Sequence, residues 1–161
     1  MADINLLEYT AKPSKPIFST GDRVQKVIGT YDKLTGHGTG VVVLARNVPI
    51  DTIVTSINLP AASPAISGFT DANFGFRRSS DDTVLDDNAL ADAVSFDSAR
   101  DYAIDILGSG ITLLRDDTIG DLLGLQSDEA PIGGVDIIMT IVTGGSAADT
   151  IVFELGLSKA G

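Results

Sequence analysis

The sequence predicts a mainly β protein, and two observations carry that prediction. Of the 22 acidic residues only Glu8, Glu129 and Glu154 are glutamate, and the chain also holds 17 glycines. Asp competes for the backbone inside helices and favours caps and turns, so this composition is typical of many turns between short strands. Apolar runs of strand length also recur along the 161 residues. We expect a jelly-roll-like β-sandwich with two short helices and an extended N-terminal arm.

Residues 1–20 form the predicted arm, and residues 21–161 form the predicted β-sandwich domain. Pro13 and Pro16 lie close together in the arm, where each removes a backbone donor and fixes φ. Such a segment is either a frayed terminus or a segment that becomes ordered on a partner's surface. On the second interpretation the candidate partner-binding anchors are Ile4, Leu6, Leu7, Tyr9, Lys12, Lys15, Ile17 and Phe18.

Three strands are predicted in the first part of the domain. Residues 23–31 alternate between two faces as a strand does. Residues 41–45 are β-branched and apolar on both faces, which indicates a central or doubly covered strand. Pro49 and Asp51 break that strand, and residues 52–59 resume as the third.

Residues 67–96 predict a strand, an exposed acidic loop and a short helix. Phe74 and Phe76 alternate at the period of two that turns one face of a strand towards a core. Residues 79–82 are too polar to be buried and indicate a loop. Residues 87–94 offer an N-cap, Asp87, followed by an alanine-rich helical turn.

The second half predicts one more helix and a closing pair of strands. Residues 101–107 are compatible with helix or strand, and residues 110–114 with a short strand or a linker. Residues 116–125 have acids in the first turn and a glycine near the end, which favours a short capped helix.

The closing strands are residues 134–142 and 149–157, and the loop between them is a little longer than the tightest hairpins. We therefore expect a closing hairpin. In its last strand the side chains of Ile151, Phe153 and Leu155 share one face with Leu157, so that face is predicted to be buried.

Charge is distributed unevenly along the chain, whose net charge is −11. Residues 1–46 carry a net charge of +2, and residues 47–161 carry −13. Binding of nucleic acid by the acidic body is not expected, because neutralising phosphates requires Lys and Arg. No apolar run approaches the roughly 20 residues that span a bilayer, and the N-terminus lacks the pattern of a secretory signal. We therefore expect neither nucleic acid nor membrane as a partner.

The composition excludes several chemistries. There are no cysteines and one histidine, so disulfides, Cys–His dyads and His-rich zinc sites are impossible. His37 lies in a glycine-rich loop that lacks the dinucleotide pattern, and we interpret it as an exposed turn residue. Neither a GxSxG elbow nor a phosphate-binding GxxxxGK[ST] loop occurs. We expect no enzyme, no catalytic residues, no cofactor and no metal.

Two charged motifs leave alternatives open. Oxygen ligands from an acidic loop could hold calcium, although the EF-hand pattern fails and a solvated loop is the simpler interpretation. The Arg77–Arg78 pair predicts either cross-strand pairing with nearby Asp or a subunit contact. The candidate cation ligands are Asp81, Asp82, Asp86, Asp87 and Asn88.

Three segments resemble the capsid decoration, or cement, proteins of tailed bacteriophages. Residues 70–76 are similar to the strand before their acidic loop, and residues 86–94 to an "Asp-x-x-Ala-Leu-Ala-x-x-Val" turn. Residues 133–157 are similar to their closing hairpin. Together these segments cover about the last 90 residues.

This resemblance implies a virion structural protein that is made in the host cytoplasm and placed on the capsid exterior. It would bind the outer surface of an icosahedral head as a homotrimer and bridge subunits of the major capsid protein. An N-terminal arm that reaches across the shell fits the same family.

Two other classes of function stay open. A carbohydrate- or receptor-binding β-sandwich of a fibre or tail is one, although aromatic platforms for sugar are scarce, with no Trp and three Tyr. An enzyme that uses carboxylates alone, or with a metal, is the other.

Overall fold

The chain is described by a computed structural model covering residues 3–5, 24–59, 65–100, 103–114 and 116–159. The described residues are mainly β, as the sequence predicts. The helical elements are one short α-helix, α1, Ile119–Leu123, and one 3₁₀ turn, Ser127–Glu129. The strands are β1 Asp3–Asn5, β2 Val24–Lys33, β3 Gly40–Val48, β4 Thr52–Leu59, β5 Asp71–Arg78, β6 Val84–Val94, β7 Ile104–Asp105, β8 Val135–Thr143 and β9 Asp149–Lys159.

The strands form two sheets, each built from four antiparallel strands. The first sheet has the order β3-β8-β5-β6, and β1 adds to it in parallel at the β3 edge. The second sheet has the order β2-β9-β4-β7. This arrangement fits the predicted β-sandwich. The jelly-roll topology and the extended arm over residues 1–20 stay predictions.

The core lies between the two sheets and is centred on aromatic rings. Phe74 of β5 and Phe153 of β9 belong to opposite sheets, and their ring centroids lie 6.0 Å apart in an edge-on geometry. Phe96 packs against Phe153 at 6.3 Å and against Phe69 at 4.8 Å. The predicted buried face of the last strand is confirmed: Ile151, Phe153, Leu155 and Leu157 are all at most 3% exposed.

The helix predicted over residues 87–94 is wrong, because these residues lie in β6. Their register against β5 is irregular: Phe76 faces Asp86 and Phe74 faces Ala91, so extra residues bulge from β6. Gly75 permits this bulge, since a Cβ there would collide with the backbone at Asp86. Strand pairing and burial of Leu90 and Ala91 override the helical propensity of the alanines.

The predicted closing hairpin is also wrong. Strand β8 pairs with β3 and β5, whereas β9 pairs with β2 and β4, so residues 144–148 cross from one sheet to the other. Lys33 holds this crossing: its Nζ donates to the carbonyls of Gly145 at 3.1 Å and Ala147 at 2.6 Å. Burial lowers the pKa of Lys33. A loop of this length joins strands within one sheet or between two, so its sequence does not distinguish them.

The helix predicted over residues 116–125 is confirmed, although it is shorter. The Thr118 side chain caps its start in a reciprocal arrangement with Asp121, and Gly124 ends it at φ 67°. Of the two segments left ambiguous, residues 104–105 form β7 and residues 110–114 form no regular element.

Candidate functional site

The first candidate site is the sheet edge where β1 meets β3. The register places Asp3 opposite Val41, Ile4 opposite Val42 and Asn5 opposite Val43. This pairing is parallel, whereas the other strand pairs of the described residues are antiparallel. Ile4 is the one predicted anchor within the described residues. The others lie outside them: Leu6, Leu7, Tyr9, Lys12, Lys15, Ile17 and Phe18.

Strand β3 has the features of an edge that needs a cover. Its sequence, GVVVLARNV, contains neither Lys nor Pro, and Arg46 is its one charged residue. Natural proteins protect such apolar edges with charge, proline, bulges or a covering segment, because unpaired main-chain groups recruit other strands. At residues 41–43 the covering segment is β1. The edge of β3 is therefore a site that binds a strand through its main chain.

Two buried apolar side chains lie beside this edge on the outer face of the first sheet. Val43 and Ile138 are Cα partners, and each is fully buried, yet neither belongs to the interior cluster that contains their neighbours in sequence. Since side chains alternate between faces along a strand, Val43 and Ile138 point away from that interior. Asn5 of β1 pairs with Val43.

A buried ion pair fixes the far end of the same sheet. The Arg77 Nε lies 3.0 Å from Asp136 Oδ2, and both side chains are at most 3% exposed. The other carboxylate oxygen, Oδ1, accepts hydrogen bonds from the Ser79 hydroxyl at 2.6 Å and the Asn47 N–H at 3.2 Å. A second guanidinium nitrogen of Arg77 lies 3.1 Å from Asp82. This group links β3, β5 and β8.

The predicted cross-strand pairing is present for Arg77, which pairs with Asp136 of β8, whereas Arg78 pairs within the turn that follows β5. Arg78 pairs with Asp81 at 2.9 Å, and its side chain is 38% exposed. Arg77 by contrast is committed to partners within its own chain. A subunit contact through Arg77 or Arg78 stays a prediction, and of the two Arg78 is the one a partner could reach.

A second candidate site is a cleft of about 780 Å³ beside the ion pair. Asn47 joins the two features: its backbone bonds to Asp136, and its side-chain amide donates to the Gly133 carbonyl at 3.0 Å. Asn47 has φ 55°, the left-handed region. The cleft is lined by Asn47, Pro49, Ile50, Asp51, Thr118, Gly120, Asp121, Leu125, Gln126, Ser127, Ala130, Pro131, Gly133 and Gly134.

The cleft offers polar groups but no aromatic ring and no basic side chain among its lining residues. One of its two carboxylates, Asp121, already accepts bonds from the Thr118 hydroxyl at 2.8 Å and the Thr118 N–H at 3.0 Å. These bonds hold the pKa of Asp121 below its usual range. Asp121 therefore serves as a capping residue of α1. The cleft offers hydrogen-bonding groups, and its two carboxylates disfavour an anionic ligand.

His37 differs from its predicted place as an exposed turn residue. It lies in the turn after β2 but is half-buried, and its ring stacks on Tyr31 with centroids 6.1 Å apart. Its Nδ1 accepts a hydrogen bond from the Leu34 N–H at 3.2 Å and lies 3.1 Å from the Tyr31 hydroxyl. Through these contacts His37 stabilises the turn that follows β2, which is a structural role.

The acidic loop is organised by its own backbone and by Arg78. The Asp81 carboxylate accepts from the Thr83 N–H at 3.1 Å and pairs with Arg78, and both contacts lower the pKa of Asp81, the Thr83 bond most. Asp86 accepts from the Asn88 N–H at 3.1 Å. Within the described ranges, no group of three or more His, Cys, Asp and Glu residues is placed to hold a metal ion.

The chain was compared with protein-family models, with curated proteins and with solved structures, and none of the three searches found a match. In the part of the chain that the structure describes, no helix has the length and apolar character needed to cross a membrane.

Sequence reasoning did not find the cleft or the strand-binding edge. The cleft unites the turn after β3, the helix α1 and residues 130–134, which no periodicity connects. The Gly133–Gly134 pair, with φ near 80° at both, was the one local signal of a tight turn there. For the edge, the signal was the run of valines at 41–43 without a charged or proline residue.

Proposed function

We propose that this chain is a virion structural protein that binds the outer surface of an icosahedral phage head. It stabilises the shell by bridging subunits of the major capsid protein, and it does so as a homotrimer with a jelly-roll-like sandwich and an N-terminal arm. The observation that carries the proposal is the pairing of β1 with β3. This pairing supports the proposal that the N-terminal end binds sheet edges by strand addition, which is a recurrent mode of protein recognition.

A protein that bridges capsid subunits needs binding energy but does not need a catalytic residue. Main-chain hydrogen bonds supply affinity in strand addition, and apolar side chains add to it. The predicted anchors Leu6 and Leu7 follow β1 directly in the sequence, and Ile17 and Phe18 lie further along the predicted arm. Modest contacts suffice when they are repeated over a symmetric assembly, because the second contact is effectively intramolecular.

The distribution of charge supports the same orientation. The net charge of −13 over residues 47–161 disfavours contact between the body and packaged DNA, whereas residues 1–46 carry +2. The body therefore suits the solvent side of a shell, with the less acidic end towards the capsid subunits.

Binding to expanded heads tests the proposal. A protein that binds the assembled shell and not its free subunits stabilises the shell by mass action. We expect saturable binding to expanded heads of the source phage and a rise in the temperature at which they disassemble. Free major capsid subunits are the control and should not bind. Absence of binding to heads, or equal binding to free subunits, would overturn the proposal.

The anchors are tested by one pair of variants. Leu6→Asp with Leu7→Asp places two charges among the predicted anchors and should weaken head binding at least tenfold, about 1.4 kcal/mol. Lys159→Asp, at the end of β9, changes charge on the sandwich and is the control. An effect of the control as large as that of the anchor variant would point to net charge as the cause.

A second candidate function is a carbohydrate- or receptor-binding module of a fibre or tail, and the cleft favours it. Ser127→Tyr would fill the cleft, and Ser98→Tyr at a distant exposed turn is its matched control. Glycan-array binding by the native chain and by the Ser98 variant, but not by the Ser127 variant, would support this function. An array without any bound glycan would exclude it for the carbohydrates tested.

A further inference from the structure

We propose that β1 is exchanged between copies of the chain, so that Asp3–Asn5 of one copy pairs with residues 41–43 of a second copy. The occupant of the β3 edge is then a strand of a neighbouring subunit. This inference goes beyond the role on the head, because it concerns contacts between copies alone.

Donor and acceptor are both present in every copy. Strand β1 supplies three residues, and β3 offers an apolar edge in matching register. Exchange of an identical element leaves the main-chain contacts unchanged, which is why it is a low-cost route to oligomers. The donor and acceptor surfaces are different, so the contact is head-to-tail and closes into a ring when the rotation permits.

The tether between β1 and β2 is long enough to reach a second copy. Residues 6–23 separate the two strands, and a segment of that length spans up to roughly 60 Å when fully extended. The two layers of a sandwich lie only about 10 Å apart, so pairing within one chain needs much less.

Within the described residues, the main contact of β1 is its pairing with β3. A pairing over three residues is marginal by itself, and the close contacts of β1 in the described chain concentrate on β3. Exchange around a closed ring converts several marginal pairings into one cooperative assembly. The tether permits both arrangements, and avidity around a closed ring favours the second copy.

A disulfide trap in the full chain tests this directly, because the native sequence has no cysteine. Asp3 and Val41 are Cα partners, and Val41 is half-buried, so Asp3→Cys with Val41→Cys avoids the core. Adjacent strands bring such Cα atoms within the range that a disulfide bridges. Oxidation should give chains covalently linked into a closed trimer on non-reducing gels.

Isotope mixing identifies the chains that are joined. Unlabelled and ¹⁵N-labelled variant chains are mixed, oxidised and digested, and linked peptides that combine one light and one heavy partner should appear at the statistical yield. Linked peptides of one isotope only, from monomers, would show pairing within the chain and overturn the proposal. Failure to form the disulfide would overturn it as well.

Two controls separate specific pairing from collision. Asp3→Cys with Arg46→Cys shifts the acceptor by five residues along β3, about 17 Å, and should remain reduced. Equal cross-linking of this pair would contradict the register.

Light scattering tests the oligomer without any substitution. The native chain should have three times the 16.7 kDa monomer mass, and a chain of residues 6–161 should be monomeric. A monomeric native chain that binds heads would overturn strand exchange and the homotrimer, and would leave binding to the head intact.

Discussion

Strands β1 and β9 lie near the two ends of the chain and are held in opposite ways. Strand β9 runs over Asp149–Lys159 in the middle of its sheet, paired on both sides with β2 and β4. Strand β1 pairs over three residues with one neighbour at a sheet edge. The comparison teaches that β9 is held inside its sheet and in the core, whereas β1 pairs along one edge, and this is the end that we propose binds a partner.

Removing a core ring from β9 should have the largest effect on stability. Phe153 is 1% exposed and contacts the rings of Phe74 and Phe96, so Phe153→Ala is expected to cost about 3–5 kcal/mol. Val152→Ala, half-buried on the opposite face of the same strand, is the control and should cost less than about 1 kcal/mol. Urea unfolding measures both. Similar losses for the two variants would contradict the assignment of faces in β9.

Breaking the buried ion pair between Arg77 and Asp136 should have the second largest effect on stability. Asp136→Asn leaves Arg77 without its buried counter-charge, and removing one partner of such a pair costs about 3–5 kcal/mol. Asp82 remains beside Arg77, so we expect a value at the lower end of that range. Asp81→Asn breaks the exposed pair with Arg78 and should cost less than about 1 kcal/mol. Equal losses would show that burial does not distinguish the two pairs.

A proline in β1 should separate binding from stability. Ile4→Pro removes a main-chain donor from β1, yet the unfolding free energy should stay within about 0.5 kcal/mol because β1 pairs over three residues at one sheet edge. Head binding and the mass of the oligomer should both fall. Ile4→Val, which keeps the donor, is the control. A loss of several kcal/mol in Ile4→Pro would place β1 among the core strands and contradict the comparison with β9.

The smallest effect concerns the acid dependence of stability. Thr118 lowers the pKa of Asp121 in the folded chain, so this carboxylate contributes stability above its unfolded pKa and loses it as the pH falls through the folded value. Asp121→Asn should therefore lower the melting temperature slightly near neutral pH and flatten its decline in acid. Asp116→Asn, in the exposed turn before α1, is the control. Parallel curves for native chain and Asp121→Asn would contradict this role.

The elements predicted correctly are those whose own pattern was decisive. Strand β9 shows four apolar residues at a strict period of two, and α1 carries both of its caps in the local sequence. Residues 87–94 failed because alanines at that spacing fit helix and strand alike, and the pairing with β5 decided between them. The hairpin failed because residues 144–148 do not encode which sheet the next strand joins.

The candidate sites were harder to predict, because they depend on contacts distant in the chain. Arg77 and Asp136 are separated by 59 residues, and only the register of β5 against β8 brings them together. The pair of arginines was singled out from sequence, and its cross-strand pairing was predicted, but neither the buried partner nor the adjacent cleft could be. Strand β1 is three residues long and has no periodicity to detect.

The most direct test of the account compares head binding by the full chain with that by a chain of residues 21–161. Circular dichroism first establishes that the shorter chain keeps its β structure, and both are then titrated against expanded heads. The account predicts saturable binding by the full chain and none by the shorter one, because the N-terminal end is the binding end. Equal binding by both would contradict it and move the contact to the sandwich.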